Sequence, residues 1–91
     1  MHYTWNEAKR RKTLTQRGLD FAHAPRVFES PTLTFEDDRW EYGEDRWVTL
    51  GLLNQKIVVL VHTEIDDVDV IRIISMREAT KNEQQLYFSN L

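Results

Sequence analysis

Lys56-Ile57-Val58-Val59-Leu60-Val61-His62-Thr63-Glu64 is the stretch on which the fold turns. It is apolar at consecutive rather than alternate positions, so both faces need cover and the segment belongs at the centre of a sheet. Asn54-Gln55 in front of it supplies a hairpin turn. Before that turn, residues 46–53 put Val48, Leu50 and Leu52 on one face and Trp47, Thr49 and Gly51 on the other. Thr32-Leu33-Thr34-Phe35 alternates as a further strand, and Ile65-Asp66-Asp67 turns the chain into a strand over 68–76.

Helical signals flank this strand-rich middle. Thr4-Trp5-Asn6-Glu7 fits a capping box with Thr4 as N-cap, opening a helix that runs to about Gln16 and stops at Gly18. Its apolar side is thin (Trp5, Ala8, Leu14), so it lies on the surface, pinned mainly by Trp5. Asp20 is the N-cap of a second helix bearing Phe21, Ala24 and Phe28 on one face, with Pro25 forcing a late start or a distortion. Ser30-Pro31 breaks the helical stretch. A second capping box, Thr80-Lys81-Asn82-Glu83, opens a C-terminal helix. The expected class is α+β: two N-terminal helices, a meandering antiparallel sheet of three to four strands, and a C-terminal helix, with the helices on one sheet face. Residues 1–91 are expected to form one domain, since a chain of this length has no room for a second core.

Composition narrows the function classes modestly. No apolar run approaches the length of a membrane-spanning helix, and the N-terminus lacks the apolar core of a signal peptide. The absence of cysteine excludes disulfides and thiolate metal sites and fits a reducing cytoplasm. A net charge of -3 hides a strong asymmetry. Residues 1–28 carry six cations against two anions, whereas residues 29–45 carry seven carboxylates against Arg39. Whole-chain charge therefore says little about nucleic acid, and the location of the basic face says more.

Chemistry concentrates in Val70-Ile71-Arg72-Ile73-Ile74-Ser75-Met76-Arg77. Guanidinium groups keep their charge at any relevant pH and are almost never buried alone. An arginine in such a strand either meets a carboxylate of the fold or lines a cleft for an anion from outside. His62 and Glu64, two apart on the central strand, project from one face, and a turn at Asp66-Asp67 would bring them towards Arg72. A His, a Glu and two Arg suit phosphodiester chemistry, with imidazole or carboxylate exchanging protons and guanidinium gripping phosphate oxygens. The same residues also read as a satisfied core histidine and a Glu64–Arg72 cross-strand ion pair. Arg72 and Arg77 have opposite parity, so both reach one phosphate only if the strand ends near Ser75 and the chain turns before Arg77.

Other signals exclude rather than identify. Three scattered His have no metal-ligand spacing, and Glu36-Asp37-Asp38 with Glu41 lacks the Gly and terminal Glu of a calcium loop. No Gly-rich phosphate loop or nucleophile elbow occurs. Neither a metal nor a cofactor is expected. Trp40, Tyr42 and Trp47 read as packing residues, with base stacking a secondary role.

Over nearly its whole length the chain resembles the BrnT family of bacterial type II toxins, related in fold to the RelE-type ribonucleases. The resemblance is carried by Trp5, Lys9, Arg17-Gly18-Leu19-Asp20-Phe21, Ala24 and Val27-Phe28, then by Glu36-Asp37-Asp38-Arg39, Tyr42-Gly43-Glu44 and Arg46. Leu50-Gly51-Leu52, Val61-His62-Thr63-Glu64 and the Ile71–Arg77 block with Ala79-Thr80 complete it. Asn6, Thr13 and Gln16-Arg17 depart from residues common in that family. The resemblance implies a metal-independent endoribonuclease that slows translation in the bacterial cytoplasm. It also implies a BrnA-type ribbon-helix-helix antitoxin as silencing partner, with operator DNA reached through that partner alone. In this reading Arg72 and Arg77 hold the phosphate, His62 or Glu64 moves protons, and Lys9, Lys12 and Arg17 steer the RNA backbone. The alternative is a non-catalytic module that clasps the antitoxin and tunes repression.

Overall fold

The structure, a computed structural model, describes residues 1–39, 41, 43–65 and 68–91. The elements in chain order are β1 (His2–Trp5), α1 (Glu7–Arg17), a 3-10 turn (Phe21–His23), α2 (Ala24–Glu29), β2 (Leu33–Glu36), β3 (Trp47–Leu53), β4 (Lys56–Ile65), β5 (Val70–Glu78) and α3 (Lys81–Ser89). The strands form one mixed sheet in the order β1-β5-β4-β3-β2, with the apolar segment β4 in the middle as its two-faced pattern requires.

The α+β class holds, but the sheet has five strands rather than three to four and is not wholly antiparallel. The extra strand is β1, which pairs parallel with β5 through His2↔Val70 to Trp5↔Ile73. Thr4 is therefore a strand residue, not a helix cap. Asn6 caps α1 instead, its side-chain oxygen accepting from the Lys9 backbone N–H at 3.0 Å. Tyr3 and Trp5 are the half-buried positions of this short strand and pack on the core. Four residues are too few for their alternation to outweigh a capping signal.

Gly18 ends α1 with φ at 68°, a left-handed conformation that favours glycine. Beyond it, Asp20 caps the 3-10 turn by accepting from the Ala22 backbone N–H. The same carboxylate accepts two bonds from Arg10, at 2.8 and 3.1 Å, which fasten α1 to the next element and hold Asp20 below the usual carboxylate range. Pro25 lies in the first turn of α2, so the late start follows from the proline. Asn54 and Gln55 make the hairpin turn with φ of 50° and 69°.

Helices cover both faces of the sheet, not one. Phe21, Ala24 and Val27 pack with Leu53, Val58, Leu60, Ile71, Ile73 and Met76 on the first face. Ala79 and Tyr87 pack with Val48, Leu50, Ile57 and Val59 on the second. Gly51 lets α2 approach closely: a Cβ there would stand 2.7 Å from Val27 Cγ1. On the second face the buried Tyr87 hydroxyl donates to the Pro31 carbonyl at 2.6 Å, tying α3 to the entry of β2.

One irregularity in β5 sets which of its side chains share a face. Val61 pairs with Ser75 but His62 pairs with Ile73, so Ile74 is an extra residue, a β-bulge in β5. The strand continues through Arg77 to Glu78, and no turn intervenes after Ser75. Paired residues of an antiparallel ladder share a face. Arg77 opposite Val59 and Arg72 opposite Thr63 consequently both lie on the α3 side. The bulge reverses the parity that the spacing of five residues would otherwise impose. The Asp66-Asp67 turn lies outside the described residues, as do Trp40 and Tyr42.

Candidate phosphate-binding site

The α1 N-terminus, the middle of β5 and the segment leading into β3 converge on a small cavity. Asn6 and Lys9 come from α1, Arg72, Ile73 and Ile74 from β5, and Arg46 from the residue before β3. Its volume is about 120 Å³, the share of roughly four water molecules at ~30 Å³ each. Three cationic side chains and the positive end of an eleven-residue helix face one another here. Like charges at such range repel, so the arrangement calls for an anion.

Within the fold the anion is a carboxylate. Glu44 Oε1 accepts from Arg72 Nη2 at 2.7 Å and lies 3.7 Å from Arg46 Nε. Both partners of the shorter contact are well exposed, Arg72 at 48% and Glu44 at 41% of the side chain. A single charge-assisted bond between exposed groups is worth little and is readily exchanged for another anion. A phosphodiester offers the same guanidinium two oxygens.

Arg77 is held differently. Its Nη1 and Nη2 donate to Glu83 Oε1 and Oε2 at 2.7 and 2.8 Å. Glu83 also accepts from the Thr80 backbone N–H at 2.9 Å, closing the capping box of α3. The Arg77 hydrogen bonds, followed by that of Thr80, outweigh burial and hold the Glu83 carboxyl at about 2. The pair lines a cleft of about 350 Å³ floored by Val48, Val59 and Val61, with Asp37, Asp38 and Arg39 also on its rim. A larger hollow of about 620 Å³ is walled almost wholly by the acidic segment 36–45. Both are wider than the cationic cavity, but carboxylates outnumber the arginines on their walls, which disfavours RNA phosphate there.

His62 and Glu64 do not join Arg72. His62 pairs with Ile73 and Glu64 with Ile71, on the α2 face, across the sheet from both arginines. The imidazole is 0% exposed, Phe28 meets it edge-on at 5.1 Å, and its Nε2 is 2.8 Å from Thr49 Oγ1. Thr49 Oγ1 is in turn 2.8 Å from Thr34 Oγ1, so the ring closes a polar chain across β2, β3 and β4. Burial lowers the His62 pKa to about 4 and keeps the ring neutral. Glu64 comes no nearer to His62 than 3.8 Å and is 40% exposed.

The three basic residues of α1 separate as well. Lys9 lines the cavity, and Lys12, one turn on, is exposed on the same helix. Arg17 donates to the Met76 carbonyl at 2.9 Å, on the edge of β5 that β1 is too short to cover. Asn6, Glu44 and Arg46 were not among the residues expected at a site. The N-cap spacing of Asn6 to Lys9 was a usable signal, whereas nothing local marks Glu44 within its acidic run. Among the described residues no group of three or more His, Asp or Glu side chains is spaced to hold a metal ion.

Residues 5–83 match the family described as ribonuclease toxin, BrnT, of type II toxin-antitoxin system. The chain belongs to the BrnT family. That membership makes RNA the substrate class and an antitoxin the partner class, consistent with a site that concentrates cations around one small anion seat. No curated protein matches the chain in sequence. No helix among the described residues is long and apolar enough to cross a membrane.

Proposed function

We propose that this BrnT-family chain is a metal-independent endoribonuclease that binds the scissile phosphate between Arg72, Arg46 and Lys9. The observation that carries the reading is the convergence of these three cations, from three separate segments, on one cavity at a helix N-terminus. Guanidinium and ammonium groups fixed before the substrate arrives offset the charge that grows on the nonbridging oxygens as a 2′-hydroxyl attacks the adjacent phosphate. Lys12, exposed one turn beyond Lys9, extends the basic track for the RNA backbone. Arg17 serves the edge of β5 first and RNA second. Arg77 supports the reaction indirectly by fastening α3, and His62 supports it by holding β2, β3 and β4 in register. With His62 and Glu64 across the sheet, the proton acceptor belongs to the Arg72 face.

The partner in this reading is a BrnA-type ribbon-helix-helix antitoxin that carries the complex to operator DNA, and both act in the bacterial cytoplasm. Support for the partner comes from family membership and from the resemblance. A neighbouring reading frame encoding such a protein is the expected observation.

The test of the activity is direct. Purified protein is incubated with RNA in excess EDTA and the product ends are mapped. Cleavage leaving 2′,3′-cyclic phosphate and 5′-hydroxyl ends is expected. No cleavage at any protein excess, with tight antitoxin binding retained, would leave the non-catalytic binding module as the function.

A further inference from the structure

The phosphate seat lacks the proton acceptor expected of it, because His62 and Glu64 occupy the opposite face. We propose that Glu44 is that acceptor, a catalytic residue that abstracts the 2′-hydroxyl proton; the proposal rests on the phosphate seat of Arg72, Arg46 and Lys9.

Three observations converge on it. Glu44 reaches both arginines of the seat, 2.7 Å from Arg72 Nη2 and 3.7 Å from Arg46 Nε. Its side chain is 41% exposed, so an incoming ribose can reach it from solvent. The contacts holding it are also of the kind a phosphodiester displaces, one hydrogen bond and one longer ion pair, in contrast to the bidentate lock on Glu83.

Displacement supplies the chemistry. When a phosphate takes the Arg72 guanidinium, the Glu44 carboxylate is released from its hydrogen bond and is left beside the same phosphate, with both oxygens free to accept. The 2′-hydroxyl proton passes to a Glu44 oxygen as the O2′–phosphorus bond forms. The phosphorus–O5′ bond breaks, and the departing 5′-oxygen takes a proton from water while Lys9 and the arginines offset the developing charge. The products are a 2′,3′-cyclic phosphate and a 5′-hydroxyl. Glu44 then returns its proton to solvent, and the step is balanced without a metal or co-reactant.

The experiment is single-turnover cleavage of an end-labelled RNA oligonucleotide by the full chain and by Glu44→Gln, Glu44→Asp and Arg72→Ala. Binding of the matching 2′-O-methyl oligonucleotide, which has no proton to give, is measured alongside. Glu44→Gln is expected to lower the cleavage rate by roughly 10²- to 10⁴-fold. Its affinity for the 2′-O-methyl RNA should be unchanged or tighter, because a competing carboxylate is gone, and Glu44→Asp should recover part of the rate. A thermal melt matching the native chain confirms the fold of each variant. Cleavage by Glu44→Gln at or above the native rate would overturn the proposal and make Glu44 a counter-ion that RNA displaces. Failure of the phosphate seat itself has a separate signature: Arg72→Ala would bind the 2′-O-methyl RNA as tightly as the native chain does, and the proposal would fall with it.

Discussion

Arg72 and Arg77 leave the same strand on the same face, their rows about 13 Å apart, yet they meet their carboxylates in different ways. Arg77 forms two parallel bonds to Glu83, which is itself locked into the capping box of α3. Arg72 forms a single bond to Glu44, on an acidic segment, with Lys9 and Arg46 crowding the same cavity. One pair is complete and belongs to the fold. The other is a single bond between exposed groups beside a cavity that also gathers Lys9 and Arg46. Arg77 fits the ion-pair reading of an arginine in an apolar strand, and Arg72, five residues away, carries the anion-cleft reading of the proposed function.

The sharpest way to break the comparison is to remove each arginine in turn. Arg72→Ala should lower RNA cleavage by roughly 10²- to 10³-fold, the cost of losing a donor to a developing oxyanion. Its thermal stability should stay near native. Arg77→Ala should cleave nearly as fast as the native chain but lose about 1–2 kcal/mol in urea unfolding, discounted because the arginine is 41% exposed. Equal losses of activity in the two variants would erase the distinction between the two arginines.

Next in size is the buried histidine on the other face. Thr49→Val leaves His62 Nε2 without its partner and should cost about 1–3 kcal/mol in urea unfolding. Acid should reveal the same site. Burial depresses the His62 pKa from 6.5 to about 4, so the unfolded chain binds the proton more readily. This contribution to stability is intact above about pH 6.5 and is lost as pH falls towards 4, at most about 3 kcal/mol. His62→Gln should flatten the stability profile across that window.

Glu83 defines a second, more acidic window. Its carboxyl lies at about 2 instead of 4.5, so the stability it supplies is whole above 4.5 and lost as pH falls towards 2. Arg77→Ala should shrink that loss, as read from melts between these limits. The smallest expected effect belongs to Lys12. Lys12→Ala should weaken RNA binding a few-fold and make its salt dependence shallower by about 0.7 in the log–log slope.

Most of the architecture is legible in local pattern. The apolar run of β4 predicts its central place, Asn54-Gln55 its turn, Thr80 and Glu83 the cap of α3, and Gly18 the end of α1. Local pattern fails at Thr4, where two candidate caps compete and a four-residue strand carries too little periodicity to decide. It fails also in placing the helices, because an amphipathic stripe states that a face is buried but not which side of the sheet it meets. Of the residues gathered around the cavity, Arg72 and Lys9 stand out in the sequence by type and setting, whereas Arg46, and Glu44 beside it, meet Arg72 through contacts remote in sequence.

Residue types and their spacing establish that an apolar strand holds arginines with permanent charge, that the basic and acidic groups are segregated, and that the chain carries the BrnT pattern. Side-chain chemistry and spacing suffice for that much. Which groups share a face follows from strand pairing in three dimensions. Pairing with β4 extrudes Ile74 as a bulge, and that one extra residue turns Arg72 to the side of Arg77 while His62 and Glu64 stay opposite. Register is set by long-range packing, and a shift of one residue exchanges the two faces of a strand.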